Sequence, residues 1–259
     1  MPFLTWLADV PRAAGLKVAE QPGWKTRGHG PMGTVRGILL HHTAGPLGSN
    51  MPSLGVVTNG RADLAGPLCN YGLGRDGTVY VVAAGKAWHA GGGSWHGVTA
   101  GNTEMIGVEA ENNGIGEPWS EVQIEAYVRL CAAVLSHVGA DPSMAAGHKE
   151  YALPKGRKID PTFDMVAFRT RVAAVMNGGI VRPPVPKADS QKRPTLRRGA
   201  KGPFVEAVQT ALGLKVDGKY GPLTEAAVRA FQRVHRLDPV DGNVGPATWP
   251  LIQPVKAAA

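Results

Sequence analysis

Between Asn177 and Pro194 the chain reads NGGIVRPPVPKADSQKRP, with two glycines, four prolines and no sustained apolar period. Proline fixes its own dihedral and removes a hydrogen-bond donor, so such a stretch makes neither a core helix nor a central strand. It reads as a semi-extended linker. A chain of 259 residues cut at this point is long enough for two units with separate cores. The larger is expected over residues 1–176 and the smaller over residues 195–259, with residues 177–194 between them.

Charge divides at the same place. Residues 1–175 hold 15 Lys and Arg against 14 Asp and Glu, whereas residues 176–259 hold 13 against 6. A near-neutral unit joined to a basic one points to a polyanionic partner, either nucleic acid or an envelope rich in carboxylates and phosphates. Charge alone does not choose between them. No apolar run reaches the roughly 18 residues needed to span a bilayer, so no membrane insertion is expected. The N-terminal MPFLTWLADVPRAAG carries Asp9 and no basic leader region, which reads as a start without a secretion signal. Two cysteines, Cys69 and Cys131, cannot form a disulfide framework, and both are expected to be reduced. Cys131 reads as a core residue.

The first unit has a mixed α/β pattern. Val35–Leu40 is an apolar run suited to a buried strand, and it leads directly into His41 and His42. Tyr71–Leu73 and Thr78–Val82 flank Gly74-Arg75-Asp76-Gly77, where Asp-Gly signals a hairpin. Ile106–Ala110 is a further strand. Ser120 opens a helix that Gln123 completes as a capping box, with Tyr127, Leu130, Cys131, Val134, Leu135 and Val138 at helical spacing. Asp164 caps a last helix through Phe168, Val172 and Val175. The expected fold class is α/β, a mixed central sheet packed by helices, followed by a small three-helix unit. In that second unit Val216-Asp217-Gly218-Lys219-Tyr220-Gly221-Pro222 returns as Val240-Asp241-Gly242-Asn243-Val244-Gly245-Pro246, each copy ending in a threonine, Thr224 or Thr248. Asp-Gly turns the chain and Gly-Pro starts a helix, where the missing N–H of proline costs nothing.

The chemistry concentrates in Ala145–Pro161, AAGHKEYALPKGRKIDP, which holds His148, Asp160 and the cation Lys158. Imidazole and carboxylate are ligands suited to Zn²⁺. Two ligands need a third, and one of the strand-end pair His41 and His42 supplies it, since successive strand residues face opposite sides. A His₂Asp set with an open fourth position is what a catalytic zinc requires. No HExxH occurs, which excludes the helix-borne arrangement. Glu109, in mid-strand, is either solvated or a general base near such a metal. Alternation places Glu109 and Glu111 on one face. Lys158 is either a surface lysine or an oxyanion stabiliser. Trp88-His89-Ala90-Gly91 is a substrate wall or a tight turn, and Tyr71 is core or catalytic. His29, His96, His137 and His235 show no partner pattern.

Taken in order, GILLHHTAG, CNYGLGRDGTVY, AWHAG, IGVEAENNG and AGHKEYALPKGRKIDP resemble the zinc-dependent N-acetylmuramoyl-L-alanine amidases, a family that includes phage amidases and peptidoglycan recognition proteins. The resemblance covers roughly residues 30–175. It implies a zinc held by His41, His148 and Asp160, with Glu109 and Lys158 as the catalytic pair and Tyr71 and His89 near the substrate. The region from about Thr195 to Ile252, through its repeated DGxxGPxT phrase and Phe231-Gln232, resembles the small peptidoglycan-binding domain of cell-wall hydrolases. That favours the bacterial wall over nucleic acid as partner. The expectation is a monomeric phage endolysin, made in the host cytoplasm and acting on peptidoglycan after the membrane is breached. Two other readings remain: a recognition protein that binds without cutting, and a muramidase using Glu109 and Glu111, which strand rise sets about 7 Å apart.

Overall fold

The computed structural model describes residues 3–178, 193–235, 237 and 239–252. It divides into two compact units, Met1–Val181 and Arg182–Ala259. Residues 179–192, most of the expected linker, lie outside the described residues.

The strands of the first unit are β1 (Val18–Glu20), β2 (Gly37–His42), β3 (Gly60–Arg61), β4 (Leu64–Ala65), β5 (Tyr71–Leu73), β6 (Val79–Val81), β7 (Met105–Ala110) and β8 (Ala145–Gly147). Its helices are α1 (Asp9–Ala13), α2 (Leu54–Asn59), α3 (Gly101–Glu104), α4 (Glu121–Val138), α5 (His148–Tyr151) and α6 (Met165–Met176). Six strands make one sheet in the order β1-β6-β5-β7-β2-β8, while β3 and β4 form a separate small hairpin. Only the β5–β6 pair is antiparallel, as the Asp-Gly turn dictates; the other neighbours run parallel. Gly77 takes φ +79°, and Asp76 Oδ1 accepts from Thr78 N at 2.8 Å to close that turn.

Strand β2 is buried along its whole length, which explains why GILLHH reads as a continuous apolar run rather than an alternating one. Its Ile38 and Leu40, with Ile106 and Val108 of β7, form one large core with Tyr127, Leu130, Val134 and Leu135 of α4. Leu39 joins Met105, Ala146, Ala90 and Tyr151 in a second, smaller core. Cys131 lies in the large core and Cys69 in another cluster, both as free buried thiols.

The helix starts follow the sequence, with one departure. Ser120 Oγ accepts from Gln123 N at 3.2 Å, and Asp164 Oδ1 accepts from Val166 N at 2.7 Å. The Gln123 side chain does not complete the expected capping box. It is buried and donates instead to the Glu111 carbonyl at 2.8 Å, because that carbonyl lies beyond the end of β7 and needs a partner. Tyr71 also departs from expectation. Its ring is fully buried in the large core and its hydroxyl donates to Leu7 O at 2.7 Å, so no substrate reaches it. The register pairs Tyr71 with Val108 of β7, one residue out of step with Glu109 and therefore on the opposite face.

The second unit contains α7 (Pro203–Ala211), α8 (Pro222–Val234) and a short 3₁₀ turn, Trp249–Leu251. Each copy of the repeat is pinned by one buried glutamine. Gln209 Nε2 donates to Asp217 Oδ1, Lys219 O and Thr224 Oγ1, and its Oε1 accepts from Gly218 N. Gln232 Nε2 donates to Asp241 Oδ1, Asn243 O and Thr248 Oγ1, and its Oε1 accepts from Gly242 N. Replacing either glutamine by Leu strands these turn groups in a buried setting. We expect each substitution to lower the stability of the second unit by about 2 kcal/mol, read by hydrogen exchange across residues 195–252. Equal losses at the two sites will confirm that the copies are equivalent, and protection unchanged in either variant will refute it.

Candidate metal centre and its cleft

Three strands and a loop bring the polar side chains together. Strand β2 delivers His41, and in the parallel register His41 sits opposite Glu109 of β7. Strand β8 lies on the other side of β2 and runs directly into α5, whose first residue is His148. The chain then loops back to Asp160. Its carbonyl accepts from Lys149 N at 2.7 Å, which ties the returning segment to the start of α5. Glu150 is held by Arg169 of α6 at 2.7 and 2.9 Å, and Glu150 Oε2 also accepts from Gly147 N at the strand end.

His41, His148 and Asp160 are all buried and converge on one point. His41 Nδ1 is 3.0 Å from His148 Nδ1 and 3.1 Å from Asp160 Oδ2, and His148 Nδ1 is 3.0 Å from the same oxygen. Their outer nitrogens decide the tautomers. His148 Nε2 is 3.0 Å from Ala90 O, a carbonyl that can only accept, so the proton sits on Nε2 and the Nδ1 lone pair faces inward. His41 Nε2 faces His89 Nδ1 at 3.2 Å. Burial drives the pKa of His41 down to about 4 against the opposing hydrogen bond to Asp160, so its imidazole is neutral at pH 7. Burial tends to raise the pKa of Asp160, but its close polar contacts with the His148 and His41 rings overcome it and hold the carboxyl far below the usual range. Two imidazole nitrogens and a carboxylate oxygen thus lie 3.0 to 3.1 Å from one another. A donor set arranged in this way fits a small divalent cation such as zinc.

Glu109 stands at the edge of this group. Its Oε1 is 4.0 Å from His41 Nδ1, and its Oε2 is buried without a hydrogen-bond partner. Burial, and then the Asp160 carboxylate, push its pKa well above the ordinary value, with Lys158 acting in the opposite sense. Glu111 does not share the site. It is fully buried, and its carboxylate accepts from Thr43 Oγ1 at 2.7 Å, Ser53 Oγ at 3.0 Å and Ser53 N at 2.9 Å. The strand ends at Ala110, and the carboxylate beyond it anchors the loop that follows β2. A paired-carboxylate site with Glu109 is therefore not formed. Lys158 is exposed and lines an open cleft of about 380 Å³ together with Leu64, Trp88, His89, Asn102 and His148.

Residues 31–163, just over half of the chain, match the family described as N-acetylmuramoyl-L-alanine amidase, and residues 201–252 match the one described as putative peptidoglycan binding domain. The chain belongs to the N-acetylmuramoyl-L-alanine amidase family. It is similar to N-acetylmuramoyl-L-alanine amidase AmiD of Escherichia coli K12, 34% identical over 83 residues that make up 29% of each chain. An uncharacterized protein from the bpoA1 3' region of Kitasatospora aureofaciens is 43% identical over 67 residues, 23% of this chain and 56% of that one. The chain thus spans less than two thirds of either relative. Among solved structures, the complex of E. coli AmiD with anhydro-N-acetylmuramic acid-L-Ala-D-gamma-Glu-L-Lys is 19% identical, covering 90% of this chain and 95% of that one, with a TM-score of 0.45.

In this amidase-family chain the structure brings together six of the seven residues singled out from sequence, all but Tyr71. His41, His148 and Asp160 form the cluster, Glu109 borders it and Lys158 lines the cleft. Tyr71 is in the core. His89 is almost fully buried and presents Nδ1 to His41, with its ring packed against Gly107 of β7. A Cβ on Gly107 would stand 2.5 Å from the His89 ring, so glycine there makes room for it. Leu64, Asn102 and Arg157 were not singled out. Leu64 lies on the β4 hairpin strand, and Arg157 donates to Leu153 O and Gly92 O across the cleft wall. Leu64 and Asn102 show no periodic or motif signal, whereas Arg157 lies within the AGHKEYALPKGRKIDP segment.

His41, His42 and His89 all have pKa values lowered chiefly by burial. In the unfolded chain such groups titrate near 6.5. Between about 6.5 and 4 these three imidazoles bind more protons in the unfolded state than in the folded state, which lowers stability as pH falls. The raised pKa of Glu109 acts in the opposite sense. We expect the melting temperature of chelator-treated Glu109→Gln protein, in which that opposing group is removed, to drop across this window. A flat profile from pH 7 to 4.5 will contradict the assignment of neutral buried imidazoles.

Proposed function

We propose that the chain is a zinc-dependent N-acetylmuramoyl-L-alanine amidase, hydrolysing the amide between N-acetylmuramic acid and L-alanine in bacterial peptidoglycan. The reading rests on one observation above all: three buried ligand atoms converge beside a partly buried carboxylate whose Oε2 has no hydrogen-bond partner among the described residues. His41, His148 and Asp160 would hold the zinc, which when bound supplies Lewis acidity toward the scissile carbonyl and lowers the pKa of water. Glu109 accepts the proton of the attacking water and returns it to the leaving amine of L-alanine. Its raised pKa suits both transfers, since a strongly acidic carboxyl would hold the proton poorly. Lys158, on the cleft wall, places a positive charge toward the carbonyl oxygen as negative charge builds there. His89 fixes His41 from behind and presents little surface to the substrate.

The catalytic unit over residues 1–176 is joined through residues 177–194 to a wall-binding unit over residues 195–259. Tethering raises the local concentration of cleavable bonds without any new contact at the active site. The basic charge of the second unit suits an anionic wall. The protein acts as a monomeric phage endolysin, made in the host cytoplasm and reaching the wall once the membrane is breached. Among the described residues no helix is long and apolar enough to cross a membrane, which agrees with passage through a membrane opened by another agent.

Digestion of purified walls tests this reading. Free amino groups should appear without new reducing ends, release should stop with a chelator and return with zinc, and His148→Ala should abolish it. New reducing ends will refute amide cleavage. Glu109→Gln should lower kcat by about 10²–10⁴-fold, and Lys158→Ala by about 10²-fold, with zinc content unchanged in both. Truncation at about residue 185 should weaken binding to whole walls while leaving cleavage of short soluble muropeptides intact.

A further inference from the structure

Behind the metal cluster, both histidine ligands lean on two consecutive residues. His41 Nε2 faces His89 Nδ1 at 3.2 Å, and His148 Nε2 donates to Ala90 O at 3.0 Å. The backbone of those two residues is gripped by a single side chain, since His89 N and Ala90 N both donate to Asn102 Oδ1, at 2.9 and 2.8 Å. Both partners are N–H donors, so the amide must present its oxygen to them. Asn102 lies on α3, which runs straight into β7 and hence toward Glu109. The same helix is tied at Gly101 N to the Tyr151 hydroxyl at 3.0 Å, at the end of α5.

We propose that Asn102 is a positioning residue for the metal centre, setting the orientation of both histidine ligands through residues 89 and 90. Four hydrogen bonds form the connection, two donated by the backbone amides of His89 and Ala90 to the Asn102 oxygen, one donated by His148 Nε2 to the Ala90 carbonyl and one between the His41 and His89 rings. If residues 89–90 turn or shift, Ala90 O leaves His148 Nε2 and His89 leaves His41 together. His148 then loses the partner that keeps its proton on Nε2, and a proton on Nδ1 competes directly with metal. The surroundings restrict other ways of holding the loop. Gly107 allows the His89 ring to lie flat against β7, and Gly91, at φ +60°, turns the chain immediately after Ala90. Asn102 also borders the cleft, but its oxygen is fully engaged by the two amides, which makes it a support before it is a substrate contact. This inference rests on the zinc reading above and extends it one layer outward.

The test is zinc affinity of the full chain, measured by competition with a chromophoric chelator for wild type, Asn102→Leu, Asn102→Ala and Asn102→Asp. Outer-layer hydrogen bonds of this kind are worth about 10–100-fold in metal affinity. We expect that loss in Asn102→Leu and Asn102→Ala, and recovery in Asn102→Asp, which keeps an acceptor oxygen in place. If the leucine variant does not fold, the alanine variant carries the comparison. Ring nitrogen shifts of His148 in zinc-free protein provide a second readout. They should report a proton on Nε2 in wild type and a mixture of tautomers in the alanine variant. Wild-type zinc affinity with a lowered melting temperature would show a merely structural role and overturn the proposal. So would a raised KM with unchanged zinc affinity, the mark of a substrate contact. Should wild type take up no zinc, the proposed function falls, while the His148 tautomer in the variants still decides the positioning role.

Discussion

The parallel pairing of β2 with β7 is the constraint on which the rest of the first unit depends. It places His41 opposite Glu109 through backbone hydrogen bonds, so a metal-ligand candidate and a proton-carrier candidate are fixed to each other before any side chain takes part. A slip of one residue would turn His41 into the large core and bring Leu40 to the site. Two features resist that slip. The residues on both faces are apolar and of different size, and Tyr127 of α4 locks the pair from behind. Its hydroxyl accepts from His41 N at 3.1 Å and donates to Val108 O at 3.0 Å. With β8 on the other side of β2, His148 enters at the same height, and only Asp160 has to be brought in by a loop.

This arrangement explains which parts of the site could be read from sequence. His41 follows an apolar run, and His148 and Asp160 sit in a short segment dense with polar chemistry, so residue type and local order were informative. Tyr71 was left as core or catalytic, with a place near the substrate implied only by the resemblance, because β5 is buried on both faces and its pattern does not show which residue meets the cleft. Alternation put Glu111 on the face of Glu109 but could not report that its carboxylate is taken up by Thr43 and Ser53, which are distant in sequence. Gln123 looked like half of a capping box, but a buried carbonyl was the stronger claim on its amide. Asn102 could not be found at all, and Ala90 was seen only as part of the Trp88–Gly91 loop, without its carbonyl's role. One acts by a side-chain oxygen on distant backbone and the other by its own carbonyl, and neither leaves a periodic trace.

The second unit shows the opposite case, where sequence repetition reported structure directly. The two Asp-Gly turns were visible, and Gln232 was noticed for its place beside Phe231. Its counterpart Gln209 was not, because the glutamine precedes its turn by 8 residues in one copy and 9 in the other. Yet the two side chains make the same set of bonds, to an aspartate, a carbonyl, a threonine hydroxyl and a glycine amide. A buried amide that satisfies four groups is hard to replace with any other residue type, which is why one chemical solution serves both copies.

The metal centre and the repeat therefore use buried polarity in different ways. In the second unit every donor at each glutamine finds an acceptor, and the network stabilises its turns. At the candidate metal centre three ligand atoms converge and Glu109 keeps an oxygen without a partner among the described residues. That arrangement lowers the stability of the metal-free fold, because a buried polar oxygen left without a hydrogen bond costs free energy. It survives because the surrounding elements leave the side chains no alternative: Tyr127 behind the sheet, the Glu150–Arg169 pair beneath α5, and the Asn102 grip on residues 89 and 90. Rigidity in these supports is what lets the ligand atoms stay turned inward. A more compliant frame would let a ring rotate outward, and the site would lose its geometry.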